Sequence, residues 1–366
     1  MARFIDIHVL QYLPISCVNR DDAGMPKTIS ISGVRRARWS SQSQKRLVRN
    51  RMRELLPADD LSVRTRLLPQ MVLEALIEKG MDPAEARKAA AEKVQFPLLK
   101  KTKGEGAEAV GEDDTSDLAT KVLLPVPGGA ADRIAEGILS GEKGFDDKAE
   151  DKDKTKAINE KLRQVSLDTT LFGRFIASLE LRTDGAVSVA HAVGTTPDGF
   201  TSEWWTAIDD EKVVRGGDRV GGMGSQGLTS GVLYRYATID LGELERNAEE
   251  AGIDADLREN LVRIFLEEFS LLRPEAMKRS TAPMTDPALV RLDVTERPRS
   301  LVTAFTEPVH GADVVTESVQ RLAHHAESLD QAYGPALSTV TASTVDGHGQ
   351  KDLDAAISET LAAVKG

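Results

Sequence analysis

Cations crowd the run NRDDAGMPKTISISGVRRARWSSQSQKRLVRNRMR, residues 19–53. Residues 1–56 hold eleven Lys and Arg against four Asp and Glu, a local charge of +7 in a chain whose net charge is −11. The spacing of these bases suits a phosphate backbone touched at several points. Arg35, Arg36 and Arg38 lie in an extended stretch, so Arg36 and Arg38 share one strand face, while Lys45 and Arg49 fall one helical turn apart with Arg46 beside them. Between the two sets sits SSQS, Ser40–Ser43. Such residues can cap a helix and offer N–H groups to an anion at its positive end. An ordinary capped amphipathic helix with a solvated basic face has the same pattern, and the pattern alone leaves both readings open.

These residues need elements to hold them. The alternation in FIDIHVL, residues 4–10, predicts a strand buried on at least one face. A helix is expected over 44–56, stopped by Pro57. Helical periodicity runs from Leu61 to Val94, with Asp82 as N-cap before Pro83. Lys100–Asp117 and Gly141–Glu160 are charged and poor in aromatics, and are expected to be mobile excursions. Regular patterning returns at Val165–Leu181. GAVSVAHAV (185–193) and VLYRYATIDLGEL (232–244) are expected as strands, the second entering a helix. Gly194–Gly231 is Gly-rich and holds Trp204 and Trp205. Leu257–Leu272 is an amphipathic helix, Leu289–Val294 a late strand and Asp313–Tyr333 a late helix. Strands and helices segregated around insertions indicate an α+β core.

Composition narrows the functional classes. A chain of 366 residues, 40% hydrophobic and 29% charged, has room for two or three domains, or for one domain with large insertions. No apolar stretch approaches the ~20 residues of a membrane span, so no membrane partner is expected. The opening MARFIDIHVLQYLP is not expected to be a signal peptide, because Asp6 and His8 interrupt its apolar run. One cysteine, Cys17, excludes an internal disulfide and any multi-cysteine metal site, and the expected compartment is a reducing cytoplasm. The acidic net charge opposes indiscriminate nucleic-acid binding and leaves a basic strip on an acidic body.

Catalytic patterns are missing from the sequence. GGDRVGGMGSQGLTSG lacks the strand–GxxxxGK[ST]–helix arrangement of a phosphate-binding loop and is expected to be a flexible hairpin. None of the six histidines forms HExxH or pairs with a cysteine at metal spacing. His324 and His325 are expected on a solvated helix surface, and His191 as a packed core histidine. Asp21 and Asp22 can ligate a metal or activate a hydroxyl, yet adjacent carboxylates in an Asn-Arg-Asp-Asp loop more commonly make turn hydrogen bonds and pair with Arg20. No nucleophile, base and orienting group come together in the sequence. No catalytic residue, metal or cofactor is therefore assigned.

Several ordered motifs carry a resemblance. FIDIHVLQYLPISCVNRDD (4–22), GVRRARWSSQSQKRLVR (33–49), LFGRF (171–175), GAVSVAHAV (185–193), EWWTAIDD (203–210) and SQGLTSGVLYRYATIDL (225–241) resemble the CasC family, the backbone subunit of the type I-E CRISPR Cascade surveillance complex. The likeness fails in Lys100–Glu160 and weakens after about residue 300. It implies a palm with an RNA-recognition-motif-like (ferredoxin-like) fold, a helical finger insertion and a β-hairpin thumb. The implied division is 1–57 palm with the basic strip, 58–165 finger, 166–193 palm strands, 194–228 thumb and 229–366 the rest of the palm.

The resemblance also implies a role. Copies would stack head to tail along a CRISPR guide RNA, with other Cascade subunits as partners, and meet the target DNA strand through the guide. Heterologous contacts of this kind build helical filaments, and pairing with the guide, rather than the protein, reads sequence. The family's RNA-gripping positions fall on Arg20, Lys27, Ser40, Gln42, Lys45 and Arg49; its base-displacing thumb positions fall on Trp205 and Thr206, and a base-contacting apolar position on Phe175. Arg36, Arg38 and Arg46 join this set from the charge pattern alone. Trp204 is expected to anchor the hairpin while Trp205 projects from a basic tip at Arg215 and Arg219. Two other functions compete: metal-dependent cleavage of target RNA by a loop aspartate, as in type III relatives, and sequence-independent single-strand binding.

Overall fold

Alternation in FIDIHVL does produce a strand, and it continues further than the pattern does, as β1 (Phe4–Ser16). The computed structural model describes residues 3–101, 118–176, 179–216, 220–349 and 351–365. Most of the expected excursion at Lys100–Asp117, and Arg219, lie outside them. After β1 come β2 (Thr28–Ile31), β3 (Val34–Trp39), α1 (Ser41–Leu55) and β4 (Ser62–Thr65). Next are α2 (Leu68–Glu78), α3 (Pro83–Ala90), α4 (Phe96–Lys101), β5 (Leu124–Pro127), α5 (Ala130–Ser140), α6 (Asp151–Leu162) and α7 (Leu167–Phe172). Short strands follow: β6 (Arg174–Ile176), β7 (Leu181–Thr183), β8 (Val187–Val189) and β9 (Ala192–Gly194). β10 (Thr201–Ile208), α8 (Asp210–Val214) and β11 (Val220–Asp240) form the next stretch. The remaining elements are α9 (Leu241–Ala251), α10 (Ala255–Ser270), β12 (Leu289–Thr295), α11 (Val314–Tyr333), β13 (Ser338–Ser343) and α12 (Leu353–Lys365).

The chain mixes these helices with a large antiparallel sheet and divides into two compact units. One comprises residues 1–51, 187–241 and 259–366; the other comprises 52–186 with 242–258. In the first unit nine strands form one sheet, ordered β13-β12-β1-β11-β9-β3-β2, with β8 and β10 also paired to β11. β1 runs between β11, in register from Phe4↔Asp240 to Tyr12↔Val232, and β12, from Phe4↔Thr295 to Leu10↔Leu289. It is buried on both faces. Ile5, Ile7 and Val9 point one way, fully buried. Leu10 joins Tyr234, Tyr236 and Leu289 on the other face, against Phe305, Val319, Leu322 and Ala326. Asp6 and His8 interrupt the apolar run because they belong to this second face. There Tyr236 donates to Asp6 at 2.9 Å, the Arg299 amide donates to Asp6 at 2.7 Å, and His8 meets the Tyr234 hydroxyl at 2.9 Å and the Asp293 carboxylate at 3.3 Å.

The second unit has its own core, with Leu68, Val72 and Leu76 of α2, Ala86 and Ala90 of α3, Ile134 and Ile138 of α5, and Ile158 and Leu162 of α6. Asp82 caps α3 as its position before Pro83 suggests, accepting from the amides of Ala84 and Glu85. Gly141–Glu160 departs from expectation. Its charges lie on one side of α6, while Thr155, Ala157, Ile158 and Leu162 are buried and Phe145 is fully enclosed. Gly144 permits this packing: at φ +94°, a Cβ there would come within 2.8 Å of the Ala157 methyl. The expected strand over 185–193 is also interrupted, β8 and β9 each pairing with β11 on either side of Ala190–His191.

Candidate nucleic-acid interface

The basic strip lies in the first unit and is organised around Asn19. Its carbonyl accepts from the Lys27 amide at 2.8 Å and its side chain accepts from the Ser40 amide at 3.1 Å. Lys27 in turn accepts from the Arg38 amide at 3.0 Å. Loop, strand β3 and the start of α1 are thereby held together. At the loop's tip the Asp21 carboxylate accepts from the amides of Ala23 and Met25 at 3.0 and 2.9 Å, the turn bonding expected of this residue. Arg20 and Asp22 are exposed there, and Lys27 is half-buried.

Helix α1 begins where SSQS indicates, three residues earlier than its expected start. The Ser40 hydroxyl accepts from the Ser43 amide at 3.3 Å, an N-cap, and Ser40 is itself buried. The Ser41 amide donates to Nδ1 of His191 at 3.0 Å. His191 is exposed rather than packed in the core, because the break between β8 and β9 turns it toward this helix end. Two first-turn amides thus already have protein acceptors, which reduces what α1 offers an anion. Along the helix Gln42 and Arg46 are exposed, and Lys45 and Arg49 half-buried with interaction partners inside the protein. Leu47 and Val48 face inward.

Arg36 departs from its assignment to the RNA-facing set. It is 0% exposed and donates to the carbonyls of Gly194, Thr195 and Phe305 at 3.2, 2.8 and 3.5 Å. Burial lowers its pKa. Backbone carbonyls from two distant segments cover that face of β3 and need donors, so the side chain seals the sheet. Arg38, on the same face, remains half-buried. A second buried cation escaped sequence reading. Arg235 of β11 donates to the carbonyls of Phe269 and Ser270 at 2.9 and 2.7 Å and lies over the Phe269 ring, 5.1 Å from its centroid. Burial pushes it down to about 9. Only its alternation with Tyr234 and Tyr236 in a doubly covered strand could have signalled this.

The Gly-rich segment forms a β ribbon, with Trp204 opposite Ser225, Trp205 opposite Gly224 and Thr206 opposite Met223. All of β10 is exposed. The expectation that Trp204 anchors the hairpin on the palm while Trp205 projects does not hold: Trp204 is 72% exposed and Trp205, the more covered of the two, 46%. A two-stranded ribbon has no interior, and the flat seat lies over glycine. A Cβ on Gly224 would come within 2.7 Å of the Trp205 indole, so that ring rests on the ribbon. Alternation puts Trp204 and Thr206 on one face and Trp205 on the other. Phe175 belongs to the second unit, on β6, and is 72% exposed.

Among the described residues no group of three or more His, Cys, Asp or Glu is placed to hold a metal ion, and no helix is long and apolar enough to cross a membrane. The model of the CT1975-like protein family matches residues 5–365, almost the whole chain. The chain belongs to this family, that of CasC. Chains of solved assemblies agree with this. One, from a "CRISPR RNA-guided surveillance complex, pre-nicking", is 30% identical, covers 98% of this chain and 100% of its own, and superposes with a TM-score of 0.80. Another, from a "CRISPR RNA-guided surveillance complex", is 29% identical over 98% of this chain and 99% of its own, with a TM-score of 0.71. No curated protein matches the chain. The CasC-family chain is thus like the backbone proteins of such complexes in sequence and fold along its full length.

Proposed function

We propose that this protein is the non-catalytic, guide-RNA-binding backbone subunit of a type I-E Cascade complex. Copies polymerise along the spacer of the CRISPR RNA and present it for pairing with target DNA in antiviral defence. The observation that carries this reading is the whole-length likeness, at 30% identity and a TM-score of 0.80, to a chain of an RNA-guided surveillance complex. The nine-stranded unit serves as the palm, the helical unit as the finger and the Trp ribbon as the thumb. Arg20, Lys27, Arg38, Gln42, Lys45, Arg46 and Arg49 grip the RNA backbone, with Ser40 ordering the helix start. Trp205, Thr206 and Phe175 contact bases. The protein works in the cytoplasm with other Cascade subunits.

Co-expression with a guide array tests the reading. The purified protein should carry RNA of one discrete length, seen in its ultraviolet absorbance ratio and by sizing the extracted strand. Heterogeneous RNA would instead favour a general single-strand binder. The turn bonding of Asp21 occupies one of the two loop carboxylates of the cleavage alternative, and exposed Asp22 is left as its candidate. Incubating assembled complex with complementary RNA and a divalent cation checks this, and regularly spaced cuts would make the protein an enzyme.

A further inference from the structure

The inner face of β1 sets two carboxylates against each other. Asp6 of β1 stands opposite Asp293 of β12, and on the same face His8 stands opposite Arg291. Asp6 is 1% exposed and Asp293 7%. Both line an enclosure of about 10 Å³, whose other charged walls are Arg291, Arg299 and Asp330. Three carboxylates therefore meet two guanidiniums. A space of this size holds one water molecule at most, so it has no room for a counter-ion that would balance the count.

The cations are unevenly shared. Arg291 reaches both oxygens of Asp293, at 3.0 and 2.8 Å, His8 lies 3.3 Å from that carboxylate, and the Thr339 hydroxyl donates to it at 2.6 Å. The Arg299 guanidinium goes to Asp330 at 2.8 Å and to the Gly334 carbonyl at 2.9 Å. Asp6 receives only uncharged donors, the Tyr236 hydroxyl at 2.9 Å and the Arg299 amide at 2.7 Å. From β11 Thr238 stands opposite Asp6, with a buried hydroxyl that has no partner apart from this carboxyl. Tyr234 is turned to His8 and the Leu301 amide, and Asp240, on the same face, lies half-buried at the end of β11. Against the upward pull of burial, the contacts with His8 and Arg291 hold Asp293 below the usual carboxylate range. Burial pushes Asp6 up, and its hydrogen bonds and the nearby His8 offset only part of that rise.

Where two carboxylates face each other and the cations all serve one of them, the other keeps its proton. We propose that Asp6 is the proton-bearing carboxyl of this enclosure and that its proton locks β1 to β11 and to the chain after β12. Protonated, Asp6 donates to the Thr238 hydroxyl and still accepts from Tyr236 and Arg299, and two carboxylates are left against two guanidiniums. Ionisation puts a buried carboxylate opposite Asp293 and opens the lock. The sign follows from linkage. A proton held more tightly in the folded chain than in the unfolded one stabilises the fold fully below the ordinary aspartate value of about 3.9, and that contribution is lost as pH rises through the folded value. The inference is independent of the guide-RNA reading.

The test is urea unfolding of the full chain between about pH 5 and pH 9. Asp6→Asn keeps the shape of a protonated aspartate, and a donor, without the charge. Its midpoint should move in the variant's favour as pH rises, by up to about tenfold in the folding constant per pH unit until the Asp6 carboxyl of the unaltered chain ionises. Asp293→Asn takes the charge partner from Arg291 and His8 and should lower the midpoint at every pH in that range. A uniform loss in Asp6→Asn, like that of Asp293→Asn, would mean that Asp6 is ionised and that the balancing proton sits on His8, and the inference falls. Infrared spectra of the unaltered folded chain, with isotope-labelled aspartate, give a readout that needs no variant. A protonated-carboxyl band should persist at about pH 6, where free aspartates have ionised, and its absence would overturn the inference equally.

Discussion

Strand β3 and helix α1 are neighbours in sequence and both are rich in bases, yet they use them differently. On β3, Arg36 is turned into the sheet and its terminal nitrogens are held by backbone carbonyls. On α1, Arg46 faces solvent, and Lys45 and Arg49 are half-covered. The same contrast recurs between buried Arg235 and exposed Arg20. Positive charge counted along a sequence is therefore not positive charge available to a ligand. A strand covered on both faces converts its arginines into donors for the protein's own backbone, whereas a helix with one solvated face keeps its bases outside.

The largest expected effect breaks the interior half of this comparison. Arg235→Met leaves two buried carbonyls without donors, at a cost of about 1–3 kcal/mol each, partly offset because a charge no longer needs burying. Urea unfolding should show a net loss of about 2–4 kcal/mol. Arg36→Met should behave alike. An unchanged midpoint for both would mean that these guanidiniums are dispensable to the sheet.

On the exposed side, Trp205→Ala should weaken RNA binding by about 1–3 kcal/mol, the worth of one stacked base. Trp204→Ala should leave the melting temperature nearly unchanged, because the ring is 72% exposed. Chemical probing of bound guide gives the sharper readout. A periodic exposed base supports an indole that wedges the strand, and uniform reactivity along the spacer rules the wedge out. Next in size, Lys45→Ala and Arg49→Ala should each reduce the salt slope by about 0.7, equally for every spacer sequence. A loss confined to some sequences would point to base reading instead of a backbone grip.

Much of this is legible in the sequence. The cap at Asp82, the start of α1 near SSQS, the β11 strand and the α11 helix all follow from local patterns that act within a few residues. What escaped depends on distant segments. The fate of Arg36 is decided by carbonyls at 194, 195 and 305, and that of His191 by the amide of Ser41. The burial of Phe145 and Ile158 needed the other helices of the second unit to cover a segment that looks too charged to pack. β13 and α12 carry only short apolar runs, and the family model, contrary to the weak likeness expected after residue 300, extends through both. Trp204 misled because adjacent tryptophans suggest one buried partner, and a ribbon with no interior has none.

The finest division lies within α1 itself. Arg46 and Arg51 are both exposed bases on one helix, and composition treats them as equals. Arg51, however, reaches Glu268 of α10, with Nε 3.1 Å from the carboxylate. Glu268 is largely covered at that contact, so the pair ties the end of the strip to the acidic body and neutralises it. Its contribution to stability should be small, about 0–1 kcal/mol, since half of the arginine side chain is solvated. Arg51→Ala should therefore leave both the melting temperature and the salt slope for RNA nearly unchanged. Arg46→Ala, with no loss of fold, should flatten the slope by up to about 0.7. Equal slopes for the two variants would show that α1 acts as a uniform basic rod and that the Glu268 pairing does not withdraw Arg51 from the RNA.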